Sequence, residues 1–288
     1  MDLHFTKMHG AGNDFIVIED LDEDWDFDEL AVQVFCDRHF GIGADGMILV
    51  RAATDPAADF YMLYINADGS VAEMCGNGIR CFARHLVDNG LAEGDTIAVQ
   101  TLGGIRKIEV IRDEYGEFEA ARVDMGAPVL AAADIPTTLP GDPVIDRTVS
   151  TKLGDVTVTC VSMGNPHAII WVDDADAAPV LTMGPLVETA AAFPNKTNVE
   201  FAQVIDTENI RLRVWERGVG ETLACGTGAC ATLVAAALTG RTGRSATIEL
   251  PGGELEIEWA ADDHVFMTGP AEVTFEGVVR VEDDDEDQ

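Results

Sequence analysis

The feature that most constrains this chain is an internal repeat. The stretch KMHGAGNDFIVIEDLDED carries Met8, Gly12 and Asn13 before an apolar run that ends in acids. SMGNPHAIIWVDDADA repeats that order with Met163, Gly164 and Asn165. A second pair, EMCGNGIRCFARHL and LACGTGACATLVAAAL, places Cys-Gly-x-Gly ahead of a helix-like run, at Cys75 and Cys225. Asn13 and Asn165 lie 152 residues apart, Cys75 and Cys225 150. Two unrelated motif pairs at nearly one offset imply a duplicated unit, so the fold must be one that works twice.

Between the motifs the chain reads mainly as strands. DTIAVQTL, IRKIEVI and FEAARVDM alternate in the first half; DVTVTCVSM, IRLRVWE, ATIEL and ELEIEWA do so in the second. Pro251-Gly252-Gly253 reads as a hairpin turn. After Cys75, Ile79, Phe82, Ala83 and Leu86 follow the i, i+3, i+4, i+7 pattern of a helix that Asn89-Gly90 closes. The run from Ala229 to Leu238 is apolar on nearly every side, which marks a buried helix. The expected fold is therefore α/β (α+β), two pseudo-symmetric units, each a mixed or antiparallel sheet wrapped round a central helix.

Each repeated cysteine sits where such a helix begins. First-turn N–H groups lack intrahelical acceptors and carry partial positive charge, which favours a thiolate or a bound carboxylate. A single Cys-Gly-x-Gly most often starts a packed helix with an inert cysteine. Two related by a repeat suit a different chemistry, in which one thiolate removes a proton from one face of a carbon and a thiol returns one to the other. Cys81 and Cys230 fall inside the helices and read as packing residues, while Cys36 and Cys160 lack any cradle. Six cysteines without a CxxC spacing form neither a disulfide scaffold nor a zinc site.

The charge narrows the partners. With 52 acidic and 18 basic residues the formal net charge is −34, a field that repels nucleic acid and anionic lipid. The acids are dispersed through EDLDEDWDFDEL, VDDADA and AADD as well as the tail VEDDDEDQ, and lysines number only four. That pattern fits an acidic surface adapted to a salt-rich cytosol. No apolar run is long enough for a membrane span and no signal-peptide pattern occurs, so a cytoplasmic location is expected. Asn195-Lys196-Thr197 matches a glycosylation acceptor only by chance. GIGADG at 41–46 has the G-x-G-x-x-G spacing, but no clean strand precedes it and no βαβ unit follows, which argues against a dinucleotide site.

KMHGAGNDF, DRHFGIGADG, NADGS, MCGNGIRC, SMGNPH, NKTNVEF, WERGVGETLACGTGAC and LPGGEL together resemble the diaminopimelate epimerase family over nearly the whole chain. The resemblance implies interconversion of LL- and meso-diaminopimelate in lysine biosynthesis, without pyridoxal phosphate, metal or other cofactor. It implies an active site between two α/β units, with Cys75 and Cys225 as the catalytic pair. Gly76, Asn77, Gly226 and Thr227 would hold the α-carboxylate. Asn13, Asn66, Asn165, Asn198 and Arg217 would bind the other polar groups, with Glu216 and His167 assisting the reacting centre. It also implies a homodimer with Phe275 at the contact. The units would be 1–124 with 270–281, and 125–269, leaving 282–288 as a disordered acidic tail. The chain departs from the pattern at Gly46, where some members have a substrate-contacting glutamine.

Three other functions use the same residues. Proline racemases share the paired cysteines but usually have histidine after the first Cys-Gly and lack ERGxGET, where this chain has Asn77 and Glu216-Arg217. A thiol redox protein would require a disulfide between Cys75 and Cys225. A binding protein would keep the fold without turnover.

Overall fold

A computed structural model describes residues 1–281; the acidic tail expected at 282–288 lies outside the described residues. Contacts divide the chain into two compact units, Met1–Ala121 together with the described residues from Pro270, and Arg122–Gly269.

The first unit opens with the hairpin of β1 (Asp2–Gly10) and β2 (Asn13–Glu19). Ala11 and Gly12 join them with φ of 52° and 81°, a two-residue turn with both central residues in the left-handed region. Gly10 pairs with Asn13, so the turn fixes Asn13 as the first residue of its strand. α1 (Glu29–Cys36), β3 (Gly46–Ala52), β4 (Phe60–Asn66), β5 (Val71–Ala72) and α2 (Gly76–Asp88) follow, then β6 (Thr96–Thr101) and β7 (Gly104–Arg112); β8 (Phe118–Asp124) begins in this unit and runs past its boundary at Ala121. β2 and β3 run parallel; β3–β4 and β6–β7 are antiparallel.

The second unit contains β9 (Arg147–Thr151), β10 (Gly154–Ser162), β11 (Pro166–Trp171), α3 (Val180–Glu188), β12 (Asn198–Val204), β13 (Asn209–Glu216), β14 (Gly220–Thr222) and α4 (Gly226–Leu238). β15 (Ser245–Leu250), β16 (Gly253–Trp259) and β17 (Val265–Gly269) complete it. Here β11 and β12 are the parallel pair, and Pro251 and Gly252 turn β15 into β16. β18 (Glu272–Arg280) lies antiparallel on β1 in the first unit.

The expected mixed sheet around a central helix holds in each unit. In α2 the residues Ile79, Cys81, Phe82, Ala83 and Leu86 are fully buried against strands that include β1 to β4. In α4 the run Ala229 to Ala236 is fully buried, and β10 to β12 and β15 to β17 pack around it. Each unit also carries an outer helix that the sequence pattern does not announce. Val32 and Cys36 of α1 pack on Leu3, Ile16, Ile18, Met47 and Leu49. Val180 and Val187 of α3 pack on Val158, Ala168, Ile170 and Phe201. Covering both faces explains why β2 and β11 read as unbroken apolar runs. α3 escapes periodicity because Pro185 lies inside it and Gly184 sits against the Trp215 ring, where a Cβ would be 2.6 Å from that side chain.

Candidate active site

Cys75 and Cys225 occupy the same position in the two units. Each is the extended N-cap residue of the central helix, with φ/ψ of −136°/118° and −128°/107°. The surrounding register repeats too. Phe15 pairs with Gly46 and Val17 with Ile48 across β2–β3; His167 pairs with Asn198 and Ile169 with Glu200 across β11–β12.

In the first unit the Cys75 sulfur accepts the Gly78 N–H at 3.4 Å, so the thiol itself caps α2. It lies 3.8 Å from Asn13 Oδ1. That oxygen also accepts Asn77 Nδ2 at 3.2 Å, while Asn13 Nδ2 donates to Asp45 Oδ2 at 2.8 Å. Asp45 is held by Arg38 at 2.7 Å, and Arg38 also pairs with Asp14, which takes Lys7 from the other side. Burial would raise the Asp14 carboxyl, yet its hydrogen bonds to Arg38 and Lys7 hold it well below the usual carboxylate range. Arg80, fully buried, donates to Gly76 O at 3.0 Å, Asn77 Oδ1 at 3.1 Å and Pro270 O at 3.1 Å. Asp45 and Arg80 are site-building residues that motif reading overlooks. The available signal was an arginine within the buried turns of an amphipathic helix.

Asn66 is engaged in the turn that follows its strand. Its Nδ2 donates to Ser70 Oγ at 3.0 Å, and its N–H to Ser70 O, closing the turn after β4. At Gly46 a Cβ would lie 2.6 Å from both Ile65 O and the Tyr64 ring, so a side chain such as the glutamine expected from the resemblance does not fit this backbone.

In the second unit the Cys225 sulfur lies 3.5 Å from Thr227 Oγ1, and Thr227 accepts Asn165 Nδ2 at 3.2 Å. Asn165 Oδ1 is 3.0 Å from His167 Nε2, and His167 Nδ1 is 2.6 Å from Glu200 Oε1. Thr222 donates its hydroxyl to Glu216 Oε1 at 2.5 Å. Burial raises the Cys225 thiol well above its ordinary range, and the Glu216 carboxylate facing it adds to this. This differs from the lowered value expected for a cysteine at a helix start: with the sulfur out of water, desolvation outweighs the first-turn N–H groups. Burial raises Glu216 as well, against the hydrogen bond from Thr222.

Asn198 is buried with both ends of its amide occupied: Nδ2 donates to Pro166 O at 2.9 Å and Oδ1 accepts the Arg217 N–H at 2.9 Å. It thus ties β11 to the turn after β13. The Arg217 side chain is exposed and reaches Asn195 O at 3.3 Å. Gly76 and Gly226 are buried first residues of their helices. Phe275 on β18 is 46% exposed and meets the Phe5 ring edge-on at 5.9 Å. The remaining cysteines are buried: burial pushes Cys36 up to about 11 and Cys81 and Cys160 up to about 12. GIGADG leads into strand β3 and not into a helix, so it offers no helix start to a pyrophosphate. Among the described residues, no cluster of three or more His, Cys, Asp or Glu could hold a metal ion.

A thiol at each helix mouth, with an asparagine beside it and backbone donors ahead of it, can move protons at a carbon next to a carboxylate. The family model described as diaminopimelate epimerase matches residues 5–131 and 159–274. A diaminopimelate epimerase of Moorella thermoacetica is 52% identical over 278 residues, covering 96% of this chain and 98% of that protein. One from Methanococcus maripaludis is 47% identical, covering 97% and 100%. Among solved structures the fold is similar to a probable proline racemase from Agrobacterium radiobacter K84, with TM-score 0.72 at 15% identity over 98% of this chain and 94% of that one. It is also similar to a Bacillus anthracis phenazine biosynthesis protein of the PhzF family, with TM-score 0.69 at 17% identity over 98% and 100%. Those two likenesses concern the fold; the sequence matches over nearly the full length decide the family, and this chain belongs to the diaminopimelate epimerases, a family of isomerases.

Proposed function

We propose that this protein interconverts LL- and meso-diaminopimelate by proton transfer between two cysteines, without a cofactor, in lysine biosynthesis. The observation that carries the reading is the duplicated N-cap cysteine, Cys75 and Cys225, each opening the central helix of its unit. A thiolate takes the α-proton, leaving a carbanion whose charge spreads into the α-carboxylate. A thiol gives its proton to the opposite face, so the stereocentre inverts and the two sulfurs exchange protonation states. Burial and the facing Glu216 carboxylate favour the thiol form of Cys225. The first-turn N–H groups at Gly76, Asn77, Gly226 and Thr227 are suited to the α-carboxylate, as an anion at a helix start. Asn13 and Asn165, each hydrogen-bonded beside its cysteine's helix start, would orient the substrate, and Asn66 and the Arg217 guanidinium would take its distal polar groups. Glu216 and His167 assist at Cys225. Asn198 would act through the turn it holds at Arg217.

Incubation in D2O under reductant with LL-diaminopimelate tests the reading, with L-proline in a parallel tube. The expected result is α-deuterium and the meso isomer in the first tube only. Exchange confined to proline would move the protein to racemases of that substrate, and loss of activity on reduction would favour a redox role.

The protein is proposed to work in a salt-rich cytoplasm and as a homodimer through β18, where Phe275 and Val278 are exposed apolar residues on a strand. No helix of the described residues is long and apolar enough to cross a membrane. Light scattering of the wild type and Phe275→Asp tests the dimer; an unchanged mass in the variant removes this contact.

A further inference from the structure

Behind Cys225 lies a buried polar pair that the first unit does without. Advancing the β2–β3 register by 152 residues carries Phe15 onto His167 and Ile48 onto Glu200. All four side chains are fully buried. They occupy corresponding places at the helix mouth. A Cβ on Gly78 would lie 3.1 Å from Ile48 Cδ1, and one on Gly228 would lie 3.0 Å from Glu200 Oε1. The scaffold is therefore complete with an aromatic and an aliphatic side chain here. Burying an imidazole and a carboxyl instead is unfavourable for stability, which calls for a role in the site.

The hydrogen bonds say what that role is. Glu200 Oε2 has no hydrogen-bond partner. A buried carboxylate with one bare oxygen carries a full desolvation penalty, whereas a neutral carboxyl escapes it. Burial pushes the Glu200 carboxyl upward, against His167 and the main-chain N–H groups of Ala168 and Glu200, which favour its charged form. With its proton on Oε1, Glu200 would donate to His167 Nδ1 across the 2.6 Å contact, leaving the ring proton on Nε2 for Asn165 Oδ1 at 3.0 Å. Asn165 Nδ2 in turn donates to Thr227 Oγ1, and the Thr227 hydroxyl proton can then turn to the Cys225 sulfur 3.5 Å away. We propose that Glu200 is a positioning residue for Cys225, fixing through His167, Asn165 and Thr227 the direction of the hydrogen bond offered to the sulfur. The groups facing this sulfur are Glu200 from β12, Glu216 from β13 and Thr227 from α4, with His167 of β11 facing both carboxyls.

The proposal rests on Cys225 acting as an acid–base group, and its test separates the two. Glu200→Gln and Glu200→Leu are compared with the full-length wild type in molar KCl under reductant. Three readouts are taken: kcat and KM on LL-diaminopimelate, the pH dependence of iodoacetamide alkylation at Cys225 with Cys75 as internal reference, and the His167 tautomer by isotope-edited NMR. Glutamine has the shape of a neutral carboxyl and can present its N–H to Nδ1, so it should keep the wild-type alkylation profile and most of the turnover. Leucine should lower kcat by about 10–100-fold with little change in KM. It should also move the Cys225 alkylation midpoint to higher pH, because the thiolate loses its Thr227 donor, and leave Cys75 unchanged. Wild-type His167 should carry its proton on Nε2. Leucine with wild-type kcat and midpoint, glutamine impaired as deeply as leucine, or a bare Nε2 in the wild type would each overturn the proposal. Should the leucine variant not fold, the tautomer and the glutamine variant still decide. Alkylation and tautomer do not depend on turnover, so a Cys225→Ala enzyme that stays active would remove the catalytic reading while leaving the Glu200 measurement standing.

Discussion

At the residue scale the two cysteines share a position but differ in surroundings. Cys75 is half-buried and takes a backbone N–H; Cys225 is buried and faces a carboxylate. A two-base reaction needs both, so Cys75→Ala and Cys225→Ala should each lower turnover by at least about 10²–10⁴-fold. Steady-state rates with circular dichroism as the folding control check this, and near-normal activity in either variant removes the mechanism. Gly228→Ala separates packing from chemistry. Its Cβ would stand 3.0 Å from Glu200 Oε1 and 3.3 Å from the Cys225 sulfur, so kcat should fall with little change in the melting curve of the whole protein. The corresponding Gly78→Ala meets the terminal methyl of Ile48 at 3.1 Å, a contact that can shift, and should be milder. The ratio of the two kcat losses is the measurement.

At the scale of elements, α2 is positioned by an arginine. Arg80 ties the first turn of its own helix to the chain entering β18 through Gly76 O, Asn77 Oδ1 and Pro270 O. Arg80→Met keeps the stem but strands these acceptors in a buried place. A loss of about 2–4 kcal/mol is expected, read as a lower urea midpoint at constant slope. How legible the elements were depended on their surroundings. α2 and α4 declared themselves because a central helix buries enough of its surface to leave a pattern, and Gly and Asn mark their ends. α1 and α3 were not legible: an outer helix of eight or nine residues leaves too short a pattern, and α3 contains a proline. Among site residues, the cysteines stood out by repetition. Asp45, Arg80 and Glu200 did not, because each acts on a neighbour distant in sequence.

At the scale of the whole molecule, charge governs stability. Of the 52 acidic residues, only Asp20, Glu188 and Glu200 are buried among those described, so the repulsion lies at the surface. The screening length falls from ~10 Å at 0.1 M salt to ~3 Å at 1 M. Diluting KCl from molar to millimolar should therefore unfold the protein, seen as loss of the circular dichroism signal. A fold unchanged in dilute buffer would refute salt adaptation. Acid acts on a particular network. The Asp14 carboxyl is held below its unfolded value by Arg38 and Lys7, so its stabilisation is fully present above the unfolded pKa of ~3.9 and is lost as pH falls through the lower folded value. Stability of the wild type relative to Asp14→Asn should be constant above pH ~5 and shrink below pH ~4, measured by denaturant midpoints at fixed high salt.

The sequence by itself determined the duplication, the two central helices, the cysteines that open them and the surface charge, because periodicity, capping and repetition are local or self-similar signals. The tertiary structure alone decided the second set of facts. It buried Cys225, and there desolvation outweighs the effect of a helix start. It filled the space above Gly46 with Tyr64. It also brought Glu200, His167, Asn165 and Thr227 into one hydrogen-bonded line, through a parallel strand register that no single stretch of sequence encodes.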